Sequence, residues 1–361
     1  MELRSKLPVL NLYSAARQLS FAGVVAALLL SGIPAAAQAQ ATPRPKPSSG
    51  KKLTLSKTTA AKRPAATSRA RTTSRARVAA QALRDAQQPR FKLDPNGSLV
   101  PDVRAEAAIL YNPDTGKVLW ESNSQDQRSI ASITKVMTAT VFLENSPDLS
   151  ERVVVDRNDV RAASTTYLRA GYNVSKGDLL HLLLIGSDNA AARALARVSI
   201  YGSKDFIDRM NQKAAELGLT STHYEDPSGL LSANVSSAYD MARLITYVSG
   251  DDRIAGIMRK QQYNLELGRR TISVHSTNQL VTRGDVDVQA GKTGFIRSAG
   301  YCLATLLRLP QSNQTVAVVV LGAKSNAGRF WETRHLFNWL SAKAGDLLAT
   351  TVEAAAPTPA N

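Results

Sequence analysis

A single cysteine, Cys302, stands in a chain of 361 residues. One thiol excludes an intrachain disulfide and a cysteine-rich zinc site. Its place in the apolar run Tyr301 to Leu307 marks it as a small buried hydrophobe. Histidine is equally scarce: His181, His223, His275 and His335 are scattered, with no His-Glu-x-x-His pair, and each reads as structural. There is no Gly-x-Ser-x-Gly nucleophile elbow, no phosphate-cradling glycine loop and no internal repeat. No metal and no cofactor is therefore expected. The apolar run Phe21 to Leu30 also stops short of the roughly 20 residues that span a bilayer.

The first forty residues have the parts of a secretory signal instead. Arg4, Lys6 and Arg17 form a basic region, the short apolar run follows, and Ala35-Ala36-Ala37 and Ala37-Gln38-Ala39 offer cleavage sites. Residues 1–40 are expected to be a signal peptide, with an uncleaved anchor helix as the alternative, and the protein to be exported to the periplasm. Residues 41–95 are poor in acids and large apolar side chains. From 41 to 90 there are 13 Lys/Arg and one acid, Asp85, so this stretch carries +12 of the chain's net +16. Such a segment buries too little surface to offset its ordering entropy and is expected to be disordered. Residues 91–361 are left nearly neutral, at +2.

That distribution argues against nucleic acid, which calls for basic charge on a folded face. A solvated spacer is the leading reading of the tail, and anionic wall polymer or a membrane surface is the candidate partner if it has one. The folded domain is expected over 96–345, with 346–361 as a disordered Ala/Pro tail.

Within the domain, Ala107–Tyr111 and Lys117–Glu121 flank a Pro/Asp/Gly turn and read as a β-hairpin. Ile133, Val136, Met137, Thr140 and Val141 recur at helical spacing, which predicts a helix over about 130–144 with Ser132, Lys135 and Ala139 on an adjacent face. Residues 178–185 fit a helix or a strand. Helices are expected from Ala190, over 204–217, over 238–248 and over 328–340, and strands over 271–275, 301–307 and 315–321. Strands at both chain ends around a helical middle define an α+β fold with one sheet built from both ends.

Three short motifs carry the chemistry. Ser132-Ile133-Thr134-Lys135 puts a hydroxyl and an amine one helical turn apart. The serine needs a base, and a lysine serves only if burial or a second cation such as Lys292 lowers its pKa. Ser187-Asp188-Asn189, at a break between two helices, offers a hydroxyl to relay a proton and an amide to hold a carbonyl, although capping explains the same residues. Lys292-Thr293-Gly294 is the chain's only Lys-(Ser/Thr)-Gly. On a strand edge, Lys292 and Thr293 can bind a carboxylate while Gly294 admits a close backbone; a plain turn is the alternative. Each motif alone is weak. Ser48 and Ser49 also have a lysine three residues on, and Ser232-Ala233-Asn234 and Ser276-Thr277-Asn278 repeat the second pattern. Order, spacing and setting select Ser132, Ser187 and Lys292.

The selected set, with Asp226-Pro227-Ser228-Gly229-Leu230, resembles the penicillin-binding protein and serine β-lactamase superfamily. Within it the chain is most similar to the low-molecular-mass D-alanyl-D-alanine peptidases, over roughly residues 100–340. The resemblance implies an antiparallel sheet flanked by helices with an inserted all-helical subdomain and the site between them. It implies catalytic Ser132, Lys135 and Ser187, substrate-binding Asn189, Lys292, Thr293, Gly294 and Phe295, and an oxyanion hole from the N–H groups of Ser132 and Phe295. It implies peptidoglycan peptides as substrate and β-lactam antibiotics as covalent inhibitors. Only 69 residues follow Lys292, which resembles the compact penicillin-binding protein 7 type of D-alanyl-D-alanine endopeptidase more than the two-domain carboxypeptidases. The class A β-lactamase pattern is broken, because Gly229 stands four residues after Glu225 where an asparagine is needed. The alternatives are a D,D-carboxypeptidase and a weakly catalytic wall-binding protein that works through its basic tail.

Overall fold

Side-chain alternation along the last apolar strand decides the centre of the fold. In a computed structural model, which describes residues 87–310 and 312–354 together with 77, 78, 80, 81, 84 and 85, five strands form one antiparallel sheet. They are β1 (Ala107–Tyr111), β2 (Val118–Ser122), β3 (Asp287–Ile296), β4 (Gly300–Arg308) and β5 (Thr315–Ala323). Their spatial order is β3-β4-β5-β1-β2, so both chain ends build the sheet and β3 is an edge. Ala317, Val319 and Leu321 join Ala107, Ile109 and Tyr111 in one core; Val316, Val318 and Val320 join Ala108 and Leu110 in the other. A strand buried on both faces must be apolar at every position, as β5 is from Val316 onward. The expectations for 1–40, for most of 41–86 and for 355–361 lie outside the described residues.

Among the described residues, seven helices of seven or more residues occur in chain order: α1 (Thr134–Leu143), α2 (Lys176–Leu184), α3 (Asn189–Val198), α4 (Gly202–Glu216), α5 (Ala238–Ser249), α6 (Asp252–Met258) and α7 (Asn326–Ala354). α5 lies across one face of the sheet, and α7 covers the other through Phe330, Leu336 and Phe337. α1 packs on α2, α3, α4 and α5, and all ten of its residues are buried. It therefore has no solvent stripe, and the face beside the apolar stripe that carries Lys135 and Ala139 is also an interior one. A helix surrounded by others needs no outer polar face.

Other expectations change at their ends. Residues 178–185 are helical: Ser175 accepts from Asp178 N–H at 2.9 Å and Asp178 accepts from Ser175 N–H at 2.7 Å, a reciprocal cap that starts α2 at Lys176. The last helix runs beyond the expected 328–340, past the boundary drawn at 345. The expected disordered segment ends too late at 95, because Phe91–Leu93 already pairs with Leu99–Pro101. That hairpin is closed by Asp94, whose carboxylate accepts from the N–H groups of Asn96 and Ser98 at 2.9 and 2.8 Å, and it is tied to α7 by His335 Nε2 at 2.7 Å from the Arg90 carbonyl. The pair Gln262–Leu267 and Arg270–His275 adds a strand that periodicity alone did not reveal.

Leu303 of β4 is fully buried in the core between the sheet and α7. Leu303→Ala is expected to destabilise the domain by about 2–5 kcal/mol. Urea unfolding followed by far-UV circular dichroism measures this, and a loss under about 1 kcal/mol would show that this core relaxes to fill the space.

Candidate active site

The chain enters α1 through a single 3-10 turn, Ala131–Ile133, with Ala131 at φ +48°. A non-glycine residue in that region is uncommon and needs its surroundings to hold it. Two glycines let those surroundings close in. A Cβ at Gly229 would lie 2.1 Å from the Ala131 carbonyl oxygen, and one at Gly294 would lie 2.6 Å from the Ile130 oxygen and 3.1 Å from Ser132 N. The 226–229 turn and β3 thus clamp the Ser132 turn from two sides. Ser132 itself is half-buried.

Lys135, one turn on, is fully buried. Its Nζ lies 2.8 Å from Ser132 Oγ, 2.7 Å from Asn189 Oδ1 and 2.5 Å from the Ser228 carbonyl oxygen. Burial lowers its pKa to about 7 against the opposing pull of Asp226 and Asp188, and the Arg193 charge lowers it further. The neutral amine has two N–H bonds and a lone pair. The Asn189 and Ser228 oxygens can only accept, so they take the two N–H bonds and the lone pair faces the Ser132 hydroxyl. That is the arrangement a base needs.

Gly186 ends the segment before the second motif, where a Cβ would lie 2.6 Å from Val274 Cγ1. Ser187 then turns through φ +58° and Asp188 caps α3, accepting from Ala191 N–H at 2.9 Å. The Asp188 carboxylate also takes the Tyr167 N–H at 2.6 Å and the Thr166 hydroxyl at 2.9 Å. Capping is therefore the task of Asp188, which leaves its neighbours to the site. The Asn189 amide is fixed the right way round, because Nδ2 donates to the Ala163 carbonyl at 2.6 Å while Oδ1 receives Lys135.

Lys292, Thr293 and Gly294 are buried on β3, and Phe295 is exposed and stacked on Tyr301 with ring centroids 4.2 Å apart. Lys292 Nζ donates to Ser187 Oγ at 2.8 Å and to its neighbour's carbonyl, Thr293 O, at 3.0 Å. Burial and the charges of Lys135 and Arg329 push the Lys292 pKa well down; an arriving carboxylate would supply the missing counter-charge and favour the ammonium form. Thr293 Oγ1 pairs with Thr277 Oγ1 at 2.6 Å. Ser132, Lys135 and Asn189 thus meet at the Lys135 amine, Ser187 meets Lys292, and Thr293, Gly294 and Phe295 follow Lys292 along β3.

Several contributors had no role assigned from the sequence, although the segment Asp226–Leu230 stood among its motifs. The Ser228 carbonyl completes the lysine's shell, and Asp226 shapes that turn by accepting from Gly229 N–H at 2.6 Å and from Asn234 Nδ2 at 2.8 Å. Arg329, buried on α7, donates to the carbonyls of Gly294 at 2.9 Å and Cys302 at 3.1 Å, bracing β3 against β4. Backbone acceptors leave no mark in a sequence, and one arginine in an aromatic helix has none of its own. The competing motifs are structural: Asn234 braces Asp226, and Asn278 caps the short helix Gln279–Arg283. Glu225 faces solvent and pairs with His223 Nε2 at 2.7 Å.

A nucleophile-and-lysine turn, a Ser-x-Asn loop and a cationic edge strand around one seam define a serine acyltransferase site. Residues 94–325 match the sequence pattern of peptidase family S11, D-alanyl-D-alanine carboxypeptidase, and the chain belongs to that family. It is 34% identical over 227 residues to a D-alanyl-D-alanine endopeptidase of Haemophilus influenzae, covering 62% of this chain and 78% of that one. It is 33% identical over 244 residues to the Escherichia coli D-alanyl-D-alanine endopeptidase, covering 66% and 78%. Among solved structures it superposes on a D-alanyl-D-alanine carboxypeptidase of Mycobacterium tuberculosis with a TM-score of 0.63 at 27% identity, covering 70% and 96%.

Because the base must be neutral, acylation by penicillin should rise with pH and level off above about 7. Stopped-flow rates across the pH range check this, and a rate that does not fall as the pH drops below about 7 would remove Lys135 as the base.

Proposed function

We propose that the protein is an exported serine D,D-peptidase that cuts D-alanyl cross-links of peptidoglycan through an acyl-enzyme on Ser132. The observation that carries this reading is the Lys135 amine, held by two acceptors so that its lone pair meets the Ser132 hydroxyl. Ser132 Oγ attacks the carbonyl carbon of the D-alanyl residue while its proton passes to Lys135 Nζ. Charge builds on the carbonyl oxygen, where the N–H groups of Ser132 and Phe295 would stabilise it. The C–N bond then breaks, and the departing amine receives the proton through Lys135 and Ser187. Water hydrolyses the ester, frees the carboxylate and returns the proton to Ser132. Lys292 and Thr293 hold the carboxylate of the leaving residue.

A β-lactam would enter by the same attack on its ring amide, but its amine stays tethered, so it acts as a covalent inhibitor. Endopeptidase action is favoured over carboxypeptidase action by the relatives named for that activity. Residues 1–40 act as the signal that brings the enzyme to the periplasm. The +12 stretch from 41 to 90 draws it to anionic wall or membrane by charge, without nucleic acid.

Ser132→Ala should abolish both labelling by fluorescent penicillin and peptidase activity, and Lys135→Ala should slow acylation by about 10²–10⁴. Muropeptide mass analysis of digested wall reads the bond that is cut. A covalent adduct that persists in Ser132→Ala moves the nucleophile elsewhere, and release of terminal D-alanine alone, with cross-links intact, makes the enzyme a carboxypeptidase. For the tail, deletion of 41–90 should preserve turnover of small peptides and weaken sedimentation with sacculi at low salt; equal sedimentation would make it a plain spacer.

A further inference from the structure

At the Phe295 end, β3 leads to a depression of about 360 Å³ next to the acyl-transfer site. Its rim carries Arg128, Arg297 and Lys324, with Phe295 and Tyr301 as an aromatic wall. The single carboxylate among its lining residues, Glu106, is already paired with Lys324. Arg128 is half-buried, and its Nε is buried without a hydrogen-bond partner among the described residues. Arg297 is exposed on the β3–β4 turn.

The floor is shaped by two glycines in the left-handed region, Gly300 at φ +68° and Gly322 at φ +74°. A Cβ at Gly322 would lie 2.7 Å from Glu106 Cγ and 3.0 Å from Arg128 Nη2. Any side chain there would displace the very groups that give the depression its charge.

The direction of the substrate says what reaches this place. An extended peptide adds along an edge strand. Lys292 and Thr293 hold the leaving residue, and the scissile carbonyl lies between Ser132 and Phe295. Passing from Lys292 to Phe295 therefore runs from the leaving side to the acyl side. Arg297 is two residues further, the first residue of the β3–β4 turn, which puts it on the side of the residues that precede the acylating one.

We propose that this depression is a specificity subsite for a carboxylate on the acyl-donor peptide, upstream of the D-alanyl residue that acylates Ser132. The proposal rests on the D,D-peptidase reading. Arg297 and Arg128 supply charge-assisted hydrogen bonds, which planar guanidinium makes to carboxylate in pairs.

The test compares two synthetic donor peptides ending in D-alanyl-D-alanine that differ only in carrying a side-chain carboxylate or carboxamide at the preceding residue. Wild-type kcat/KM is expected to favour the carboxylate by about tenfold, the equivalent of a single good charge-assisted contact. In Arg297→Ala that ratio should fall towards one, and in Arg297→Glu it should invert. Equal kcat/KM for the two peptides in the wild type overturns the subsite, as does a preference that survives both variants. Penicillin labelling of Ser132 is measured in parallel. Wild-type protein that neither labels nor cleaves either peptide would overturn the peptidase reading and the subsite together, whereas normal labelling with no carboxylate preference overturns the subsite alone.

Discussion

The buried amine of Lys135 is the constraint on which the rest of the structure depends. An isolated ammonium is costly to bury, and this one is surrounded by the α1 interior, the Ser187–Asn189 loop and the 226–229 turn. Releasing the proton relieves the cost and creates the base in one step. The unfolded chain keeps that proton up to the ordinary lysine value of 10.5, whereas the folded chain gives it up near 7. Between those limits the unfolded state binds more protons. The burden on stability is therefore full below about 7 and lifts as the pH rises towards 10.5. A site that works near neutrality is thus bought with stability, and the two double-faced cores of the sheet supply the reserve.

Positioning comes from close approach of backbones. Gly229 and Gly294 admit two chain segments against the Ser132 turn at distances that no side chain would tolerate. Ser132 is thereby fixed from the sheet side by β3 and from the helical side by the 226–229 turn. Arg329 extends the bracing, joining the Gly294 carbonyl to that of Cys302 across β3 and β4. Displacement of either clamp would move Ser132 relative to Lys135, and an error of about 1 Å in such geometry can cost on the order of 10² in rate.

Much of this was legible in the sequence because the chemistry sits in short, ordered motifs. Ser132, Lys135, Ser187, Asn189 and Lys292 could be chosen from competing copies by spacing and setting; in the structure Lys135 touches Ser132 and Asn189, and Lys292 touches Ser187. The sheet was legible too, since the hairpin at 107–121 and the apolar run at 315–321 have strand patterns of their own. What failed to show was context. α1 reads as amphipathic, yet its neighbours enclose it completely, so the burial of Lys135 had to come from packing. The second strand Gln262–Leu267 alternates too weakly to announce itself. The reciprocal cap of Ser175 and Asp178 was available as a signal, and it would have settled 178–185 as helix.

The same geometry bears on the fate of the acyl-enzyme. Deacylation needs a water activated beside the ester, and in the class A β-lactamase pattern a glutamate with an asparagine four residues on supplies it. Here the corresponding glutamate, Glu225, faces solvent and is engaged by His223, and the fourth residue on is Gly229, pressed against Ala131. A side chain at 229 large enough to position water would collide with the Ser132 turn. The close packing that holds the nucleophile therefore excludes the residue that would speed β-lactam release. In the proposed mechanism, hydrolysis of the peptidyl ester is left to Lys135, whose lone pair is free again once the leaving amine has carried its proton away. By the same mechanism, a β-lactam would keep its amine tethered beside that lone pair, and the ester would persist.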